Sequence, residues 1–183
     1  MAASNYICII SRPKLKASSQ ATYSILMEGA AICSTADARE EGVDLTQISL
    51  RPISLDDLDD LMLWTTDEKV AKHCTWEPYT SKEGGINFIH NIASKAPWFR
   101  AICINNQPGI ATHAVKQVVK AAFSEFPHLE RLQALVDVEN VASQRVLEKA
   151  GFQREGVLRK YVVIKGKSRD MITFSVLPND PLS

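Results

Sequence analysis

The chain has 183 residues, room for about one domain and a tail. Its 45% hydrophobic and 23% charged content supplies a core and excludes collagen-like, coiled-coil and wholly disordered classes. Lys+Arg and Asp+Glu balance at 21 each, so no whole-molecule field draws it to nucleic acid or an acidic membrane face. No stretch approaches the roughly 18 apolar residues of a membrane span, and the sequence predicts a soluble protein with no nucleic-acid and no membrane partner.

Residues 1 to about 45 hold no sustained period. Ala and Ser mix there with Arg12, Lys14 and Lys16 and few acids, which reads as a flexible tail, with an organelle transit segment as the alternative. The run Thr35 to Gly42 reads as linker, and a folded domain is expected over 46–183. Cys8, Cys33, Cys74 and Cys103 form no C-x-x-C pair, and His73-Cys74 diverge on a helix, so no metal site is expected. The cysteines read as reduced thiols, and a cytoplasmic location is expected.

Ile48, Leu50 and Pro52 open a short strand, and Ser54-Leu55-Asp56-Asp57 forms a capping box. The helix it starts is expected to carry Leu58, Leu61, Met62 and Val70 on one face, with Asp56, Asp57, Asp59 and Asp60 solvated at its positive end. A second helix after Ser81 carries Ile86, Phe88, Ile89 and Ile92 inward, weakened by Gly84-Gly85. Trp98 to Ile104 reads as a strand, ended by the turn signal Asn105 to Gly109. Thr112 to Phe126 is the clearest helix, striped by Val115, Val118, Val119, Ala122, Phe123 and Phe126 and stopped by Pro127.

Leu132 to Val136 reads as a buried strand; Asn140 then caps a helix that runs through Ala150 and stops at Gly151-Phe152. Val157 to Leu177 reads as a hairpin turning at Lys165-Gly166-Lys167, with Lys160, Lys165, Lys167 and Arg169 as a solvated basic face. The order predicts an α/β fold with a mixed sheet flanked by helices.

The spacing Asn140-x-x-Ser143-x-x-x-x-x-Lys149-x-Gly151-Phe152 resembles the N-x-x-S-x-x-x-x-x-K-x-G-F signature of the GNAT superfamily. The branch it resembles is the one that acetylates ribosomal-protein N-termini. Arg154 to Arg159, Asp170-Met171, the Asp-rich helix and Trp76-Glu77-Pro78 are also similar to that branch, and the likeness covers about Ile48 to Leu177.

The resemblance implies a GNAT-like sheet that takes acetyl-CoA as cosubstrate in a cleft between two splayed parallel strands. The donor's arm pairs with strand backbone near Val136, and its pyrophosphate rests on helix-start amides. Gly109, Ile110 and Ala111, leading into Thr112, correspond to the end of the loop motif Q/R-x-x-G-x-G/A. Asn140 would bond the cofactor arm, or serve only as an N-cap. Ser143 would protonate the leaving thiolate, or stand as an ordinary helix serine. Glu77, with Asp137 and Glu139, is a general-base candidate by charge alone, against a solvated surface role for each. His113, Lys116 and Lys120 are near enough in sequence to meet phosphate, or line a polar helix face.

The chain departs from that family between Ile104 and Gly109, where two strands and most of the phosphate loop, on the order of 20 residues or more, are missing. Pro108 also removes an amide from the remnant. The sheet is therefore expected to be shortened by about two central strands, truncated at about 107–109. Trp98 to Ile104 is expected to slide into the vacant slot, parallel to Leu132–Val136.

Losing the family's oxyanion amide would cost about 3–4 kcal/mol of catalysis. The expected activity is acetyl-CoA-dependent N-acetyl transfer to a primary amine, a protein N-terminus or a small amine, impaired by the deletion. The alternative is a non-catalytic binding or regulatory form.

Overall fold

A computed structural model describes residues 8–13, 22–26, 48–72, 74, 76–96, 98–103 and 110–182. They fall into two compact units. The first holds β3 (Ser49–Arg51), α1 (Leu58–Thr65), α2 (Glu68–Ala71), α3 (Lys82–Phe88) and β4 (Trp98–Cys103). The second holds β2 (Thr22–Leu26), α4 (Ile110–Glu125), β5 (Arg131–Asp137), α5 (Val141–Lys149), β6 (Gln153–Ile164) and β7 (Lys167–Val176). β1 (Cys8–Pro13) is divided between the two.

In the first unit β3 and β4 pair antiparallel, with Leu50 opposite Ile102. Trp98, Phe99, Ala101 and Ile102 are all buried, so β4 is covered on both faces. Ser54 begins a single tight turn over Leu55–Asp57 that leads into α1. The Asp57 carboxylate accepts from the Ser54 amide (2.9 Å) and from the Arg51 guanidinium, whose Nη1 lies 2.7 Å from Oδ2. That fork holds the Asp57 carboxyl below its usual range against the opposing effect of desolvation. Solvation of the acidic helix start therefore describes Asp56 and Asp59, whereas Asp57 is buried and paired. Among the described residues no group of His, Cys, Asp and Glu is placed to hold a metal ion.

The helix expected to reach Val70 breaks after Thr65. The Thr65 carbonyl accepts the Tyr79 amide (3.0 Å), and the Thr65 and Thr66 hydroxyls bond back to Leu61 and Met62 carbonyls at 2.8 Å each. Val70 therefore lies on the separate helix α2.

α3 runs into a wide π-type turn over Ile89–Ala93, where Ser94 N reaches back five residues to the Ile89 carbonyl (3.1 Å). The wider turn rotates the apolar face. Phe88, Ile89 and Ala93 go inward, while Ile86 and Ile92, also expected inside, are 38% and 43% exposed. Gly85 marks close approach rather than weakness alone, since a Cβ there would lie 2.6 Å from Leu58 Cδ1 on α1. Leu61, Phe88, Ile89, Ala93 and Phe99 form the core of this unit, with Phe88 and Phe99 edge-to-face at 5.7 Å.

In the second unit the strands lie in the order β2-β5-β7-β6. β2 is parallel to β5, from Thr22 opposite Arg131 to Leu26 opposite Leu135, and β7 runs antiparallel along the other edge of β5. The expected slide of Trp98–Ile104 beside Leu132–Val136 does not occur. Both edges of β5 are occupied, and β4 pairs with β3 instead. The strand beside β5 comes from the stretch read as tail, where Tyr23 and Ile25 alternate with Thr22 and Ser24 in a five-residue period too short to stand out.

Ala114, Val115, Val118, Val119 and Ala122 of α4 are buried, and Phe123 and Phe126 sit half-buried at the margin of that stripe. Beyond α5, Phe152 N donates to the Leu147 carbonyl (3.0 Å) and Gly151 N to Glu148 (3.1 Å), the two bonds of a Schellman stop. Gly151 adopts φ 97°, where a Cβ is disfavoured. Gly151→Ala is expected to cost about 1–2 kcal/mol, read by denaturant unfolding. The β6–β7 turn uses Lys165 and Gly166 with φ 49° and 72°, both positive as a type I′ connection requires.

Arg131 on β5 reaches Glu155 on β6 across β7, with Nη1 2.7 Å from Oε1, and Ser175 Oγ of β7 donates to the same carboxylate at 2.7 Å. Arg131 first, then Ser175, brings the Glu155 carboxyl down to about 2. Because the folded value is depressed, this pairing stabilises above the ordinary range near 4.5 and is lost as pH falls toward 2. Glu155 is 41% exposed, so the contribution is under about 1 kcal/mol. Glu155→Gln should flatten the decline in stability below pH 4.5 in acid titrations followed by circular dichroism.

Candidate functional site

Most sequence-derived candidates of the second unit gather where β5 delivers the chain to α5. Val136 and Asp137 close the strand, both buried, and a tight turn over 138–139 leads to Asn140. The turn is held from every side. Asp137 Oδ1 accepts the Glu139 amide (2.8 Å), the Asp137 carbonyl accepts Asn140 N (2.9 Å), and Val138 N donates to the Asp170 carbonyl of β7 (3.1 Å). Gln144 Nε2 adds a bond to the Val138 carbonyl at 2.9 Å.

Asp137 is thus buried turn structure rather than a solvated surface acid. Arg169 is corrected in the same way: it is mostly buried, its Nη1 2.6 Å from Glu139 Oε2 and 3.8 Å from Asp137 Oδ2, whereas Lys160, Lys165 and Lys167 are exposed. The D-x-E-N order of 137–140 carried the signal for this turn, since Asp and Asn bond their own neighbouring backbone.

Asn140 caps α5, its Oδ1 accepting the Ser143 amide at 3.1 Å. Ser143 is 0% exposed, and its Oγ has no hydrogen-bond partner. A buried hydroxyl in that state costs about 1–3 kcal/mol. Thr173 Oγ1 shares the state but lies within the sheet, opposite Leu135.

α4 begins at Ile110, and Ala111, Thr112, His113 and Lys116 are half-buried along its first turns. Gly109 lies outside the described residues. Glu77 belongs to the first unit, exposed in the extended stretch after Trp76, whose ring meets Trp64 edge-on at 6.1 Å.

The acetyltransferase (GNAT) domain family matches residues 97–153, which take in α4, β5 and α5. Solved GNAT structures share the fold: an acetyltransferase from Bacillus anthracis superposes with a TM-score of 0.62 at 22% identity, over 72% of this chain and 95% of that one. Residues 97–153 are thus similar to the GNAT acetyltransferase domain, and the fold is similar to that of solved GNAT acetyltransferases. Spermidine N-acetyltransferase from Vibrio cholerae, solved with CoA and spermine, has the same fold at a TM-score of 0.55 and 19% identity, covering 74% and 98%.

Among curated relatives, the probable N-acetyltransferase YjcK of Bacillus subtilis is 46% identical over 76 residues. That match takes in 42% of this chain and about two fifths (41%) of YjcK. The uncharacterized N-acetyltransferase p20 of Bacillus licheniformis is 26% identical over 169 residues, 73% of this chain and 94% of p20. An alignment of 169 residues exceeds 73% of a 183-residue chain, so p20 has residues with no counterpart here.

Proposed function

We propose that the chain is an acetyl-CoA-dependent N-acetyltransferase acting on a primary amine, either a protein N-terminus of the ribosomal kind or a small amine. The observation that carries this reading is the Ser143 hydroxyl, buried without a partner at the first turn of α5 and at the carboxyl end of β5. A buried polar atom left unpaired needs an explanation, and a bound donor supplies one.

In the proposed reaction the acceptor amine attacks the thioester carbonyl carbon, the C–S bond breaks, and the departing thiolate takes a proton from Ser143 Oγ, which solvent restores. Asn140 Oδ1 is committed to the helix cap, which leaves its Nδ2 hydrogens for a carbonyl of the donor arm. Val136 offers strand backbone to the same arm. The pyrophosphate meets the start of α4 at Ile110, Ala111 and Thr112, where amides and helix dipole favour an anion. Glu77 is the carboxylate proposed to receive the acceptor's ammonium proton.

Only six residues separate Cys103 of β4 from Ile110 of α4, too few for a strand pair and a full phosphate loop. That connection and the residues of p20 without counterparts support an internal deletion, and with it a reduced rate. The short connection is also what favours the second reading, a non-catalytic form that binds without turnover. Cys74, a buried reduced thiol whose Sγ lies 3.1 Å from the Val70 carbonyl, supports a cytoplasmic location.

The test is thiol release from acetyl-CoA in the presence of N-terminal peptides and polyamines. Acceptor-dependent release confirms the first reading. Binding without release selects the second, and neither binding nor release rejects both.

A further inference from the structure

Two consecutive residues near the start of β7 fasten the turn that leaves β5. In the ladder Met171 stands opposite Asp137, the last residue of β5. Two positions earlier, Arg169 pairs with Val162 of β6 on one side, and on the other the same register sets it level with Glu139, where the chain has already left the sheet. A long side chain from that position reaches over the turn. Its Nη1 lies 2.6 Å from Glu139 Oε2 and 3.8 Å from Asp137 Oδ2, so one guanidinium joins the two ends of the turn. Asp170, the next residue, accepts Val138 N at its carbonyl (3.1 Å) and Lys160 N at its carboxylate (2.7 Å).

The turn passes this grip directly to α5. Glu139 is followed by Asn140, whose main-chain N donates to the Asp137 carbonyl (2.9 Å) and whose Oδ1 accepts the Ser143 amide (3.1 Å). The place of the Ser143 hydroxyl therefore follows from where the turn sets the helix cap. Stability is a weak reason for a guanidinium at this point. Arg169 is mostly buried with its Nε lacking a hydrogen-bond partner, and Glu139, 56% exposed, offsets little of that desolvation. A planar fork does supply fixed directions, and near a reacting atom a displacement of about 1 Å costs on the order of a hundredfold in rate.

We infer that Arg169 is a positioning residue for the transfer: held to Glu139 and Asp137, it fixes the β5–α5 turn so that Ser143 Oγ is placed for proton transfer to the departing thiolate. The inference rests on the reading of Ser143 proposed above and adds to it a side chain from another strand.

The test is a double-mutant cycle on the full chain, with thiol release measured at saturating acetyl-CoA. Arg169→Met keeps an apolar stem and removes the fork. Glu139→Ala removes the nearer of its two partners from an exposed position, where folding is least at risk. Circular dichroism checks that each variant folds, and Glu139→Ala carries the test if Arg169→Met does not. With Ser143 present, each substitution is expected to lower the rate about tenfold. In the Ser143→Ala background each should change it by less than about twofold, because the group being positioned is gone. A loss of the same size in both backgrounds overturns the inference, since general loosening of the fold or a direct role of Glu139 as a base would give that pattern. No loss with Ser143 present overturns it as well. Failure of the underlying reading shows elsewhere: an unaltered chain that releases no thiol, or Ser143→Ala releasing it at the unaltered rate, defeats that reading and the inference with it.

Discussion

Ser143→Ala is expected to lower the rate of acetyl transfer about a hundredfold, the lower end of what a positioned proton donor contributes. Stability should hold or rise. The two effects come from one atom: Ser143 Oγ is buried with no partner, so the folded protein bears its desolvation cost and alanine removes it. A merely structural serine would give the opposite pattern, with an unchanged rate and a lower melting temperature. Steady-state thiol release beside thermal unfolding of the same preparation separates the two. The Michaelis constant for acetyl-CoA should stay within about twofold, because in the proposed reaction the proton moves only as the thiolate leaves. Equal rates in the alanine variant would remove Ser143 from the chemistry.

Phe174→Ala carries the largest stability effect expected of a single substitution in the second unit. Phe174 is fully buried on β7, opposite Ala134 of β5 and Arg154 of β6, within the stretch Met171–Val176 that is buried throughout. Truncation leaves a cavity and should cost about 3–5 kcal/mol. In a chain of this length that lowers the melting temperature by roughly 10 °C. Val163 on the neighbouring strand is 66% exposed, and Val163→Ala should change stability by less than about 0.5 kcal/mol. Thermal scans of the two variants side by side make the comparison.

The second unit from α4 to β7 was legible residue by residue because its signals are local. The stripe Val115-Val118-Val119-Ala122, the Asn140 cap, the Gly151 stop and the Lys165-Gly166 turn each act within a few positions, and each is present. What local pattern could not reach were choices made by distant partners. Whether the Thr65 carbonyl accepts from the next helical turn or from the Tyr79 amide depends on a residue fourteen positions on, and that choice ends α1. The wide turn over Ile89–Ala93 re-aims Ile92, and Gly85 lets α3 close on α1. Asp57 looked like its acidic neighbours until Arg51 folded beside it.

The site was legible in the same divided way. Asn140 and Ser143 stand together as their three-residue spacing on a helix requires, whereas Glu77 belongs to the other unit and nothing in its own neighbourhood told of that. Asp137 and Arg169 were misplaced on the surface because burial of a charged pair depends on which strands become neighbours.

The order in which β2 and β5 appear has a cost during synthesis. Thr22–Leu26 leaves the ribosome early, while Arg131–Leu135, its ladder partner, is made more than a hundred residues later. At about 5–20 residues per second β2 must wait several seconds or more with its hydrogen-bonding edge unpaired. Such long-range pairing slows folding and leaves nascent chains open to capture by chaperones or by one another. Yield in a cell should therefore respond to translation speed and to holdase supply more than the chain's modest length would suggest.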